Sequence, residues 1–220
     1  MEIDRLYDKI GNYAEPEDLS VLSVYEQNQS PVYTTMRDHL HIWEREGATN
    51  FQTGIIRDGL RLKLSAVPSF YEEKNNASFL EEQEFGIEAI NKLLSNGIIR
   101  EVDRSYLACI NPLTVAHRKG KKRLCIDLSR CINLRNTSLK FKIESARQFA
   151  EVVSEGDFMW CFDLKSAYHQ MPIAEEHWKF LGFSATMEGK KRYFHFIMMP
   201  FGLNNATFVL TKMLKFPLKR

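Results

Sequence analysis

The stretch KFLGFSATMEGKKRYFHFIMMPFG, residues 179–202, decides how the rest of the chain reads. Two apolar runs flank Glu188-Gly189-Lys190, which predicts a hairpin with its turn there. A helix, NNATFVLTKMLKF at 204–216, follows; Asn204 or Asn205 caps it and Pro217 stops it. Upstream, FMWCFD at 158–163 reads as a buried strand ending on a carboxylate, Asp163. Tyr168 comes five residues later. A carboxylate at a strand end beside a ring can help hold a divalent cation, but one carboxylate alone holds it poorly.

Further upstream, PLTVAHRKGKKRLCIDL at 112–128 reads as two strands, 113–116 and 124–128, around a turn at Gly120. Five cations crowd its tip: Arg118, Lys119, Lys121, Lys122 and Arg123. Charged tips also keep sheet edges soluble. This density on a rigid hairpin points instead to phosphate contact. SFLEEQEFGIEAINKLLSNG at 78–97 predicts a helix, with Ser78 and Glu81 as a capping box and Gly97 as terminator. A short strand at 98–101 follows. HLHIWEREG at 39–47 predicts a short helix ended by Gly47, and GIIRDGLRLKL at 54–64 alternates like a strand. IESARQFAEVV at 143–153 looks helical. Residues 1–40 have a weak period and read as a partly disordered peripheral arm.

The chain has 220 residues, 44% hydrophobic and 26% charged, enough for a substantial core. Its net charge of +2 is unevenly spread. Residues 1–100 carry 10 basic and 17 acidic side chains, whereas residues 101–220 carry 20 and 11. That asymmetry suits a polyanionic partner for the second part. Cys109, Cys125, Cys131 and Cys161 form no C-x-x-C pair, which argues against structural zinc and for reduced thiols. The N-terminus is too polar for a signal peptide, and no run approaches a membrane span. An intracellular protein, cytoplasmic or nuclear and without a membrane partner, is expected.

Four stretches, taken in order, match one pattern: SNGIIREV, NPLTVAHRKGKKRLCIDLSRCIN, FDLKSAYHQMPI and GFSATMEGKKRYFHFIMMPFGLNNATFVLTKML. Together they resemble the fingers and the first part of the palm of a retroelement reverse transcriptase, over roughly residues 78–216. Weaker likeness upstream resembles the tyrosine-recombinase (DIRS-like) branch, with Ty3/gypsy-type elements as the alternative. The resemblance implies an α+β fold: right-hand polymerase fingers plus an incomplete palm, truncated before the thumb. The implied divisions are an arm at 1–40, a fingers-like region at 41–155 and a partial palm at 156–220.

The resemblance also implies roles. Asp163 matches the first metal-binding aspartate, and the Leu164 carbonyl is a further ligand. Tyr168 matches the aromatic gate beneath the sugar. Arg118 and Arg123 match fingertip positions that hold the triphosphate, and Lys119, Lys121 and Lys122 join the nucleic-acid contact. Pro200, Phe201 and Gly202 match the turn that packs on the nucleotide. The implied partners are an RNA or DNA template-primer, dNTP and the remainder of the polymerase. The implied cofactor is Mg²⁺ or Mn²⁺, bound loosely by this chain. Polymerases of this kind use two cations about 3.5–4 Å apart.

Three departures stand out. The family's Tyr-x-Asp-Asp motif is missing, and no two aspartates are adjacent in the sequence. Thr207 and Leu210 stand where the family often has proline and an aromatic. The segment DLSRCIN is one residue longer than usual. The expectation is a polymerase fragment inactive on its own; the alternative is a non-catalytic nucleic-acid-binding remnant.

Overall fold

A computed structural model describes residues 36–118, 120–143, 148, 151, 153–154, 156–158 and 164–219. The N-terminal arm up to residue 35, the strand expected at 158–163 and most of the helix expected at 143–153 lie outside the described residues. A compact unit spans Thr34–Arg220.

After a 3₁₀ turn at Met36–His39, α1 covers Leu40–Arg45 and α2 covers Asn50–Asp58. Strand β1 is Tyr71–Glu72, and helices α3 (Ala77–Glu81) and α4 (Gln83–Ser95) follow. Next come β2 (Ile99–Glu101), β3 (Cys109–Ile110), β4 (Leu113–Arg118), β5 (Lys121–Ile126) and the short α5 (Ile132–Arg135). A 3₁₀ turn at Ala167–Gln170 leads to α6 (Glu175–Trp178), β6 (Gly182–Met187), β7 (Lys190–Phe196) and α7 (Ala206–Leu214).

Five strands form one mixed sheet in the order β1-β3-β6-β7-β2, and β4 pairs with β5 separately. The β1-β3-β6 pairs are parallel, while β6-β7 and β7-β2 are antiparallel. At the sheet's centre Phe183 pairs with Phe194 across β6 and β7, their rings stacked at 5.4 Å and both fully buried. The turn falls where the sequence places it: Met187 opposes Lys190, and Glu188 and Gly189 both have positive φ, as a primed two-residue turn requires.

Two local expectations need correction. The segment 54–58, read as strand, is the second half of α2. The Thr49 N–H donates to Gln52 Oε1 at 2.9 Å, a T-x-x-Q cap that outweighs the apparent alternation. Beyond it, Leu60 and Leu64 make only isolated bridges, to Ile173 and Asn136. The helix expected at 78–97 breaks at Glu82, and Asn76, not Ser78, precedes its first turn. Ser78 lies inside α3, where its hydroxyl reaches Thr114 Oγ1 at 2.9 Å and accepts from Val115 N–H at 3.2 Å. Glycine does end α4 as expected. Gly97 N–H bonds Leu94 O and Ile98 N–H bonds Leu93 O, both at 2.9 Å, the paired bonds of a Schellman motif.

His195 on β7 is buried between Tyr106 and Trp178, and its Nδ1 has no partner. Burial, reinforced by the Arg100 charge, pushes it down to about 4. The fold therefore holds the neutral ring, whereas the unfolded chain takes up a proton near the ordinary pKa of about 6.5. This contribution is complete above that value and is lost as pH falls toward 4. The unfolding free energy from urea titrations should drop between pH 7 and pH 4.5, by up to about 3 kcal/mol from this residue. His195→Phe should flatten that part of the profile.

Candidate functional site

Two of the segments carrying the singled-out residues meet just beyond the end of β7. Met199 N–H donates to Met171 O at 2.8 Å, and Ile173 N–H donates to Ile197 O at 2.9 Å. These bonds lay residues 168–173 beside 197–201. Tyr168 consequently meets Phe201 edge to face at 5.0 Å, and its hydroxyl lies 3.0 Å from Thr207 Oγ1 on α7. His169 packs on the same Phe201 at 5.3 Å. Ser166, two residues before Tyr168, has a left-handed φ of 52°, uncommon for a non-glycine residue.

Pro200 is buried, Phe201 half-buried and Gly202 exposed. Gly202 has φ 112°, and a Cβ there would meet the Ile126 carbonyl oxygen at 2.2 Å. Only glycine lets this turn lie flat on the base of the β4-β5 hairpin. The hairpin then carries its cations outward. Arg123 is three residues from Ile126, about 10 Å of strand, and Lys121 about 17 Å.

Strand alternation divides those cations. Ala116 opposes Arg123 and Arg118 opposes Lys121, so Arg118, Lys121 and Arg123 share one face. All three are exposed, and none makes an ion pair among the described residues. Lys122 opposes His117 on the other face, the face of buried Val115 and Ile126. There Lys122 Nζ lies 2.5 Å from Glu82 and His117 3.5 Å from it. The hydrogen bond from Lys122 holds the Glu82 carboxyl below its usual range. Lys119 lies outside the described residues, as does Asp163; Leu164 beside it is 40% exposed.

Sequence reasoning missed an asparagine lattice around the Gly202 turn. Asn133 Nδ2 donates to Gly202 O at 2.7 Å, and Asn204 N–H donates to Asn133 Oδ1 at 3.0 Å. Asn136 Nδ2 donates to Asn204 Oδ1 at 2.7 Å, and Lys63 N–H donates to Asn136 Oδ1 at 3.0 Å. Asn205 stands at the α7 start as expected but does not cap it. Its amide donates to Thr137 O at 2.6 Å and accepts from Leu139 N–H at 3.1 Å. The available signal was the asparagine content of CINLRNT and GLNNA, which sequence reading spends on caps. Among the described residues no three His, Cys, Asp or Glu side chains converge as a metal site.

No family model matches the chain. Over 132 residues, 57% of its length, it is 31% identical to the Retrovirus-related Pol polyprotein from transposon gypsy of Drosophila melanogaster. Over 126 residues, 53% of its length, it is 28% identical to Polyprotein P3 of Commelina yellow mottle virus. The matches span 12% and 6% of those two proteins. Over about half its length, then, the chain is similar to the polyproteins of a retrotransposon and a virus.

Two glycines with positive φ should respond differently to alanine. Around Gly120 nothing lies within 4 Å of an added Cβ, so Gly120→Ala should cost about 1 kcal/mol of backbone strain. Gly202→Ala adds a clash with backbone and should cost roughly 3 kcal/mol or more. Urea unfolding of the two variants measures the difference.

Proposed function

We propose that the chain is a segment of a retroelement Pol protein carrying the fingers and first palm part of a reverse transcriptase. In this reading it cradles a deoxynucleotide and a nucleic-acid strand. One observation carries it: the Gly202 turn joins the Tyr168-Phe201 pair to the base of a hairpin whose one face holds Arg118, Lys121 and Arg123. Residues separated by up to 84 positions are thereby linked through the contact of Gly202 with Ile126. The similarity to a retrotransposon Pol polyprotein supports the same reading.

In this arrangement the Tyr168 ring, fixed by Phe201 and Thr207, borders the sugar. A ring held on two sides leaves little room for a 2′-hydroxyl. Arg118 and Arg123 face the phosphates, where fixed cations stabilise developing negative charge. A divalent ion, when bound, would add charge at the same phosphates, and Asp163 and the Leu164 carbonyl are the proposed ligands. No two aspartates are adjacent in the 220 residues, so this chain alone is expected to extend no primer.

Two measurements test the reading. A primer-extension assay on an RNA template with Mg²⁺ or Mn²⁺ should give no product; incorporation abolished by Asp163→Ala would show a complete site instead. Equilibrium titration should show tighter binding of a dNTP than of the matching ribonucleotide, with the gap narrowed several-fold in Tyr168→Ala. A chain that binds neither nucleotide would leave only the alternative of a non-catalytic nucleic-acid-binding remnant.

A further inference from the structure

A groove that touches neither the Tyr168-Phe201 pair nor the β4-β5 hairpin joins α2 to α7. Its cavity, about 560 Å³, is lined by Phe51, Gln52, Phe208, Lys212, Lys215 and Phe216, with Thr49 at the start of α2. A second cavity of about 330 Å³ shares Phe51 and Phe208 and adds Arg61 and Lys63. The two form one trough. Among the described residues, no aspartate or glutamate lines either part. Arg61 pairs with Glu176 at 3.3 Å, whereas Lys63, Lys212 and Lys215 make no ion pair among the described residues.

The walls are built, not incidental. Buried Gln52 donates from Nε2 to the Lys212 carbonyl at 2.9 Å, tying α2 to the end of α7. Trp43 stacks on Phe216 at 5.3 Å. Phe208 forms the floor. Phe141 and Phe51 meet it edge-on at 5.5 and 6.5 Å, and Lys212 Nζ sits 5.7 Å over its ring. Phe51 itself remains 45% exposed. The trough thus offers an open aromatic ring beside lysines that have no acidic partner among the described residues.

We propose that this trough binds single-stranded nucleic acid, with a base stacking on Phe51 and the neighbouring phosphates meeting Lys212 and Lys215. Charge complementarity selects the occupant: among the described residues every charge lining the trough is positive, and a phosphate chain is the matching polyanion. The open ring selects a single strand, because only unpaired bases present a free face for stacking. The track is separate from the β4-β5 hairpin, although it shares α7 with the Tyr168-Thr207 contact. Phe51, Lys212 and Lys215 are distinct from the residues placed in the nucleotide site, so their substitution tests the trough by itself.

Fluorescence anisotropy with labelled dT20 and with a blunt 20-base-pair duplex, both across a salt series, tests it on the full chain. Phe51→Ala should weaken dT20 binding roughly tenfold and leave the duplex affinity unchanged. Lys212→Gln with Lys215→Gln should lower the dT20 salt slope by about 1.4, the value for two phosphate contacts on a single strand. Both changes fall on exposed side chains, and thermal melts confirm folding. Photocrosslinking of 5-iodouracil oligonucleotide should label the peptide containing Phe51. Unchanged dT20 binding in both variants, with loss only in an Arg118, Lys121, Arg123→Ala variant, would overturn the proposal. So would equal losses for dT20 and duplex, or concentration-dependent self-association that Phe51→Ala abolishes while dT20 affinity stays constant.

Discussion

Asn133, Asn136, Asn204 and Asn205 hold three distant pieces of chain at fixed spacing, and the candidate site hangs from them. They connect the segment after the hairpin, the turn before α7 and the strand-like run at Lys63. An amide side chain suits this work because it donates and accepts in one plane. Aspartate could not donate and leucine could do neither. Each bond adds only about 1 kcal/mol net, but a buried amide left without partners costs about 1–3 kcal/mol. The lattice thus acts mainly by penalising any other arrangement. Asn136 and Asn205 are both buried, where that penalty is greatest. With the spacing set, Gly202 can rest on Ile126, and the turn that follows the aromatic pair is joined to the base of the hairpin.

The hairpin shows how strand geometry sorts charge that looks uniform in sequence. RKGKKR reads as one basic block, yet alternation puts Lys122 opposite His117 and leaves Arg118, Lys121 and Arg123 on the other face. Glu82 occupies Lys122. Such exposed pairs contribute only about 0–1 kcal/mol, so this one matters less for stability than for which cations remain available. It also explains the break between α3 and α4. Glu82 leaves helical geometry there, at φ −114° and ψ 36°, and its carboxylate reaches Lys122 and His117.

Legibility followed the kind of interaction involved. Both hairpins, the end of α4 and the start of α7 depend on local pattern and were readable from Gly120, Gly189, Gly97 and Asn205. The order of strands in the mixed sheet rests on pairings such as Ile110 with Gly182, which no local period reveals. The misreading at 54–58 came from weighing alternation above the Thr49-Gln52 cap. Convergence of Tyr168, Phe201 and Gly202 was suggested by the family pattern, not by the residues taken singly. Their lattice of asparagines was illegible because an amide shows its partners only once the chain is folded. The groove between α2 and α7 depends on the Gln52 bond to Lys212, 160 residues away.

Thr207 shows how a residue that looks ordinary in sequence takes on meaning in the fold. The resemblance to a polymerase leads to an expectation of proline there. In the fold its hydroxyl lies 3.0 Å from that of Tyr168, across 39 residues. Proline has no hydroxyl, and a phenol facing it would need another partner. The threonine also keeps its place in the helix, where its carbonyl accepts from Thr211 Oγ1 at 2.8 Å. With Phe201 against the ring and Thr207 against the hydroxyl, Tyr168 is held at both ends. Residues that share a partner in this way do not vary independently. Position 207 therefore belongs with 168 and 201 as one unit, and a substitution at any of the three acts first on the orientation of the Tyr168 ring.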